Sequence, residues 1–214
     1  MKSFLIIGSG NFGRLLTEAF SRQNCELLVV DRDEAALEAV LPLGISARVG
    51  DCTNPETLKS FDVAAFDACF VSVGSHFQTS LVITDLLKSL GARCIYSKAD
   101  DDVQARFLRM SGADHIIYPE KEVAQNLAVS ASNDSIFDSI PLIDGYNIYE
   151  IATPHAWIGK TIGELNVRSS FNISILATMR DGVVAPMPPV TYCFTPEEHL
   201  IVMSKTDNIR HLVD

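Results

Sequence analysis

Gly8-Ser9-Gly10-Asn11-Phe12-Gly13 has the spacing of an anion-binding loop. It follows the apolar run Phe4-Leu5-Ile6-Ile7 and precedes Arg14-Leu15-Leu16-Thr17-Glu18-Ala19-Phe20, so a strand, a tight turn and a helix start are read in succession. In such a loop Gly8 serves the turn, Gly10 lets a pyrophosphate approach the backbone, and Gly13 lets helix and strand pack closely. The helix start offers unpaired N–H groups to the anion. The next apolar run, Leu27-Leu28-Val29-Val30, ends in Asp31, about twenty residues on, where a carboxylate accepts hydrogen bonds from both ribose hydroxyls. A 2′-phosphate beside that carboxylate would meet a repulsion of about 4 kcal/mol at ~4 Å and an effective dielectric near 20. NADP is therefore disfavoured, with Arg32 offsetting part of the penalty.

Ligands on parallel sheets bind at the carboxyl edge where strand order reverses, so later strand ends belong to the same expected site. Asp51 with the Cys52 amide would read an adenine edge, Val73-Gly74 would permit close approach, and Lys98, followed by Ala99, would reach phosphate. An exposed lysine is otherwise simply solvated.

The elements that must position these residues alternate in type up to about residue 118. Phe4–Ile7, Glu26–Asp31, Ala47–Gly50, Ala68–Val73, Arg93–Ser97 and His115–Tyr118 read as short strands between helix-like runs, the rhythm of βαβ units on a parallel sheet. Asp33 is placed to cap a helix over Glu34–Val40, Thr53 or Asn54 to cap one beginning at Pro55, and Gly44 and Gly91 to end helices. Pro119 starts a further helix, and Ser132-Asn133-Asp134-Ser135 interrupts the pattern. The expected organisation is α/β, a Rossmann-like doubly wound parallel sheet over residues 1–133, with a second, smaller α+β domain over 134–214. In the latter Leu142–Thr153, Ile173–Met179 and His199–Ser204 read as strands, and Asp181-Gly182 and Pro186-Met187-Pro188-Pro189 as turns.

Composition narrows the class. At 214 residues, with 47% hydrophobic and 21% charged residues, the chain can build a core in each of two unequal domains. A net charge of −10 argues against nucleic acid and against adsorption to anionic lipid, since both need a basic surface. The sequence has no apolar run near the ~20 residues a membrane helix requires. Its 5 cysteines form no CxxC pair, as expected of reduced thiols in a cytosolic protein. Work at a membrane would require docking on another protein.

Together the glycine loop, Asp31, Gly50-Asp51-Cys52-Thr53, Val73-Gly74, Ser97-Lys98-Ala99 and Gly112-Ala113-Asp114-His115-Ile116-Ile117-Tyr118-Pro119-Glu120 resemble the RCK N-terminal domain of Trk/Ktr-type potassium uptake regulators. The segment Ile158–Arg168 and the following Ile173-Ser174-Ile175-Leu176-Ala177 resemble that family's C-terminal ligand-binding domain. The resemblance implies a cytosolic homo-oligomer, commonly an octameric ring, held peripherally at the membrane by an integral potassium-translocating subunit. It also implies an adenine nucleotide, NAD(H), ATP or ADP, in the N-terminal domain. The acid matching Glu120 is implied to help hold Mg or Ca near the phosphates; a carboxylate at a helix start is also simply favourable with the dipole. ATP-responsive members carry arginine where this chain has Asn11, so the expected ligand shifts toward NAD(H) or a less selective site. Some members bind cyclic di-AMP in the C-terminal domain, which would place Arg168 with Ile162, Ile175 and Pro188 around it. Those aliphatics also read as ordinary core and turn positions, and Gly163 stands where a bulkier residue is expected.

Two other classes compete. An NAD-dependent dehydrogenase uses the same sheet but needs an acid–base group and a substrate domain, and His76, His115, His155, His199 and His211 are scattered without triad or metal-ligand spacing. The other is a cytosolic ligand-binding module of a different transporter.

Overall fold

The computed structural model describes residues 1–73 and 76–213. By contacts the chain divides into Met1–Glu120 and Lys121–Asp214. The helix that starts at Pro119 therefore groups largely with the second unit, whereas the sequence expectation kept it in the first.

In the first unit the elements run β1 (Lys2–Ile7), α1 (Asn11–Ser21), β2 (Cys25–Asp31), α2 (Glu34–Glu38), β3 (Ser46–Val49), α3 (Pro55–Lys59), β4 (Ala68–Val71), α4 (Phe77–Ser89), β5 (Ile95–Lys98), α5 (Asp102–Met110) and β6 (His115–Ile117). All strand pairs are parallel, in the order β3-β2-β1-β4-β5-β6. Strand order thus reverses between β1 and β4, and the carboxyl ends of β1, β2 and β4 open on one edge. Neighbours on β1 serve opposite faces, because strand side chains alternate: Leu5 and Ile7 pack with Val30, Cys69 and Ile83, while Ile6 packs with Val29, Leu37 and Phe70. Both faces are therefore apolar, as a parallel sheet covered on two sides requires. The caps follow the sequence: Asp33 accepts from the Ala35 N–H, and Asn54, not Thr53, accepts from the Glu56 N–H ahead of Pro55.

The second unit takes in most of α6 (Pro119–Ala131), followed by β7 (Ile136–Pro141), β8 (Tyr146–Ala152), α7 (Ile162–Leu165), α8 (Val167–Phe171), β9 (Ser174–Arg180), β10 (Val183–Pro186), β11 (His199–Lys205) and α9 (Thr206–Val213). Its sheet is antiparallel, ordered β10-β9-β11-β8-β7. Trp157, Tyr149, Phe194, Ile151 and Ile173 are fully buried in its core. The run expected as one strand over Leu142–Thr153 is broken by Asp144 (φ 56°) and Gly145 (φ 76°), a turn with two positive φ values that joins β7 to β8. Asp181 (φ 51°) and Gly182 (φ 75°) turn β9 into β10 in the same way.

Candidate functional site

The carboxyl end of β1 turns at Gly8, whose φ of +97° suits glycine and whose N–H donates to the Val30 carbonyl at 2.8 Å. Three glycines in the loop have three different physical reasons. A Cβ on Gly13 would lie 1.9 Å from the Gly8 carbonyl oxygen and 2.5 Å from Ser72 Oγ, so packing alone demands glycine. At Gly10, φ is an ordinary −64°, and a Cβ would meet nothing within 4 Å. Nothing in the chain within 4 Å requires glycine at that position, and its absence of a side chain leaves the backbone there open to close approach.

Asp31 ends β2 and holds the loop from the side. Its Oδ2 accepts the Ser9 N–H at 2.6 Å and its Oδ1 accepts the Asp33 N–H at 2.9 Å. An ionised carboxylate has about four acceptor sites, so each oxygen retains capacity for a further donor. Ser9 is buried, and its Oγ is the one buried side-chain polar atom without a hydrogen-bond partner among the described residues. Asn11 is exposed at the start of α1 and Phe12 is half-buried behind it.

Gly8, Asp31, Arg32, Asp51, Cys52 and Val73 line one open cleft of ≈ 50 Å³. From α4 the cleft also takes Thr79 and Ile83, which sequence reasoning missed; their one signal is their position in the first turns of the helix after β4. The Thr53 hydroxyl and N–H hold the Asp51 carboxyl below the usual carboxylate range, with help from the Arg32 charge. The Cys52 side chain is buried; burial first, then the neighbouring Asp51 and Asp31 charges, push its thiol from 9.0 up to about 12. Gly74 lies outside the described residues.

Lys98, Ala99 and Glu120 gather at the ends of β5 and β6. Ala99 is buried and donates its N–H to Ile117 at 2.9 Å. The Lys98 side chain is only 11% exposed, with Nζ 2.8 Å from Asp100 Oδ1 and 2.9 Å from Glu120 Oε1. Burial alone would lower its pKa, but the two carboxylates outweigh that and raise it. Glu120 is held below its ordinary value, by Lys98 first and then by its own N–H. The lysine expected to reach phosphate and the acid expected to hold a metal are thus engaged with each other. No group of three metal-ligand side chains occurs among the described residues.

In the second unit Ile162, Arg168, Ile175 and Pro188, with Ser174, line a single pocket of ≈ 180 Å³. Gly163 sits against the chain at its rim: its N–H donates to the Val190 carbonyl at 2.8 Å, and a Cβ would lie 3.2 Å from that oxygen.

Residues 4–119 match the TrkA-N domain and residues 148–214 the TrkA-C domain. The chain belongs to the TrkA family. It is similar to the Ktr system potassium uptake protein C of Bacillus subtilis (strain 168), 31% identical over 208 residues that cover 97% of this chain and 94% of the relative. Protein A of the same system and organism is 30% identical over 209 residues, covering 98% and 94%. Among solved structures the GsuK channel bound to NAD matches 100% of this TrkA-family chain at a TM-score of 0.69 and 19% identity, and GsuK bound to ADP matches 63% at 0.54 and 19%. The chain spans 39% and 35% of those channel chains; the likeness establishes the RCK fold. TrkA-N and TrkA-C domains are regulatory modules, so this member of the family is a regulatory protein and not an enzyme. No helix among the described residues is long and apolar enough to cross a membrane.

Proposed function

We propose that the chain is the nucleotide-sensing subunit of a potassium uptake system, binding an adenine nucleotide in its first unit and setting the activity of an integral-membrane potassium-translocating subunit by quaternary change. The observation that carries the reading is the open space at Gly10, at the start of α1, beside a cleft whose floor includes Asp31 and Asp51. A pyrophosphate fits that space and takes the helix N–H groups, and the ribose fits the carboxylate that already braces the loop. The names of the Ktr relatives support potassium uptake, and the NAD- and ADP-bound GsuK structures support the ligand class.

A ring of copies is supported by an apolar stripe on α5: Val103, Phe107 and Met110 are 58%, 38% and 75% exposed at helical spacing. Such a ring makes a modest ligand preference per site sufficient, because the sites couple. The cytoplasmic, membrane-peripheral location follows from that partnership. The pocket around Arg168 is the place for cyclic di-AMP, with the guanidinium on a phosphate. Mg or Ca at Glu120 would have to displace Lys98.

Calorimetric titration of the purified chain with NAD⁺, NADH, ADP, ATP and cyclic di-AMP tests the reading. Saturable binding of an adenine nucleotide that is lost in Gly10→Asp is the expected result. An unaltered affinity in that variant, or no binding by any of the nucleotides, would falsify it.

A further inference from the structure

The second unit holds a pocket that shares no residue with the glycine-loop cleft or with the pocket around Arg168. It has a volume of ≈ 240 Å³ and lies where the end of α6, the strands β7 and β8 and the helix α9 meet. Its floor is apolar: Ile136, Ile209 and the Tyr149 ring are buried, and half-buried Val129 adds to them. Its rim is polar, with Ser132 and Arg210 exposed.

Two donors in this lining lack an acceptor. Thr206, Ile209 and Arg210 share one face of α9, since residues three and four apart lie together on a helix. A chain of donors ends on that face: Asn147 Nδ2 donates to the Tyr149 hydroxyl at 2.8 Å, and that hydroxyl donates to Thr206 Oγ1 at 2.8 Å. Thr206 still has its own hydroxyl hydrogen to give, and no acceptor for it occurs among the described residues. Arg210 likewise makes no ion pair or hydrogen bond among them. Ser132, by contrast, already donates to the Val129 carbonyl. No acidic side chain among the described residues lines the pocket.

A guanidinium and a hydroxyl donor above an apolar floor, with no acid to neutralise the cation, select a carboxylate that carries an apolar body. The guanidinium fork matches a carboxylate with two parallel hydrogen bonds. Size sets the rest: a cavity of about 150 Å³ holds benzene, so this one takes about ten non-hydrogen atoms. A nucleotide is too large for that space, and its phosphates and sugar would lose hydration against the floor.

We infer that this pocket binds a small monocarboxylate, an organic acid with a branched aliphatic or aromatic body. Its carboxylate takes Arg210 and the Thr206 hydroxyl, and its body covers Ile136, Ile209 and Tyr149. The site is independent of the nucleotide reading. Occupancy links the end of α6 to α9, so the bound acid stabilises the packing of those two helices in the second unit.

The test is methyl NMR of the purified full-length chain titrated with 4-methylpentanoate and phenylacetate, and separately with their neutral amides. Both acids are expected to shift the methyl resonances of Val129, Ile136 and Ile209 saturably, and the amides to bind at least about tenfold more weakly. Arg210→Gln, at an exposed position, is expected to bring acid and amide to the same affinity. No saturable shift at these methyls with either acid overturns the inference. Equal affinity of acid and amide in the parent chain, or a preference for the acid that survives Arg210→Gln, overturns it as well.

Discussion

Asp31 Oδ2 accepts the Ser9 N–H at 2.6 Å, so the acid that ends β2, proposed to take the ribose, also braces the glycine loop. Hydrogen bonds to a charged group contribute about 1.5–3 kcal/mol, and Asp31 makes two such bonds to backbone. Asp31→Ala should therefore lower stability by about 2 kcal/mol in urea unfolding. It should also weaken nucleotide binding by about tenfold, less than Gly10→Asp does, because the pyrophosphate contacts persist. Unchanged stability together with unchanged affinity would remove Asp31 from both roles.

Gly10 and Gly13 should separate binding from folding. Gly13→Ala places a methyl 1.9 Å from a carbonyl oxygen and must shift α1 against β1, at a cost of about 3 kcal/mol or more. Gly10→Asp sets its Cβ where no atom of the chain lies within 4 Å and should unfold close to the parent midpoint, yet bind no nucleotide, because a like-charged side chain would fill the proposed phosphate position. Thermal unfolding paired with calorimetry checks both; equal destabilisation by the two changes would contradict the assignment.

How much of this was legible in the sequence depended on how local each signal is. The glycine loop, Asp31 and the βαβ rhythm are contiguous patterns, and the six parallel strands followed from them. β7 does not read as a strand because its pairing with β8 shifts register between Ile136 and Asp138, which breaks the period-2 alternation, and because four of its 6 residues are exposed. The Asp144-Gly145 dipeptide was a hairpin signal that went unread within Leu142–Thr153. β10 is a four-residue edge strand with every residue exposed, so it carries no burial pattern at all. At the site, Thr79 and Ile83 enter the cleft only through the packing of α4, and the Lys98 pairs with Asp100 and Glu120 join the ends of different elements. The Lys98–Asp100 pair spans only two residues, but the entry of α4 residues into the cleft and the Lys98–Glu120 pair are not local in the chain.

Thiol reactivity tests the burial of the cleft floor. Burial pushes the Cys52 thiol to about 12, and burial with Cys94 nearby does the same for Cys69, while Cys193 is exposed. A disulfide reagent at pH 8 should modify Cys193 rapidly and leave Cys52 and Cys69 protected until the chain unfolds. Because folding raises both pKa values above the ordinary 9.0, the stability tied to these neutral thiols is complete below pH 9.0 and is lost as pH climbs toward about 12. Cys52→Ala should flatten that alkaline decline; a decline of the same steepness in the variant would assign it to other groups.

Asn11→Arg adds a cation to the exposed first position of α1, which in the proposed site lies beside a third phosphate. Only ATP carries that phosphate, so the contact is differential, and the ATP-to-ADP affinity ratio should rise by several-fold. A ratio equal to the parent's would place the phosphates elsewhere.

The most direct measurement of the central claim reconstitutes the chain with the potassium-translocating membrane subunit proposed as its partner in liposomes and follows potassium flux while nucleotides are exchanged. A ligand moves an equilibrium only by its difference in affinity between two states, and a shift from 1:99 to 99:1 takes roughly 10⁴-fold discrimination summed over coupled sites. Nucleotides that bind the parent chain should change the flux, and the same nucleotides should leave it unchanged when the subunit carries Gly10→Asp. Flux indifferent to every nucleotide that binds, or equally responsive in Gly10→Asp, would contradict the account.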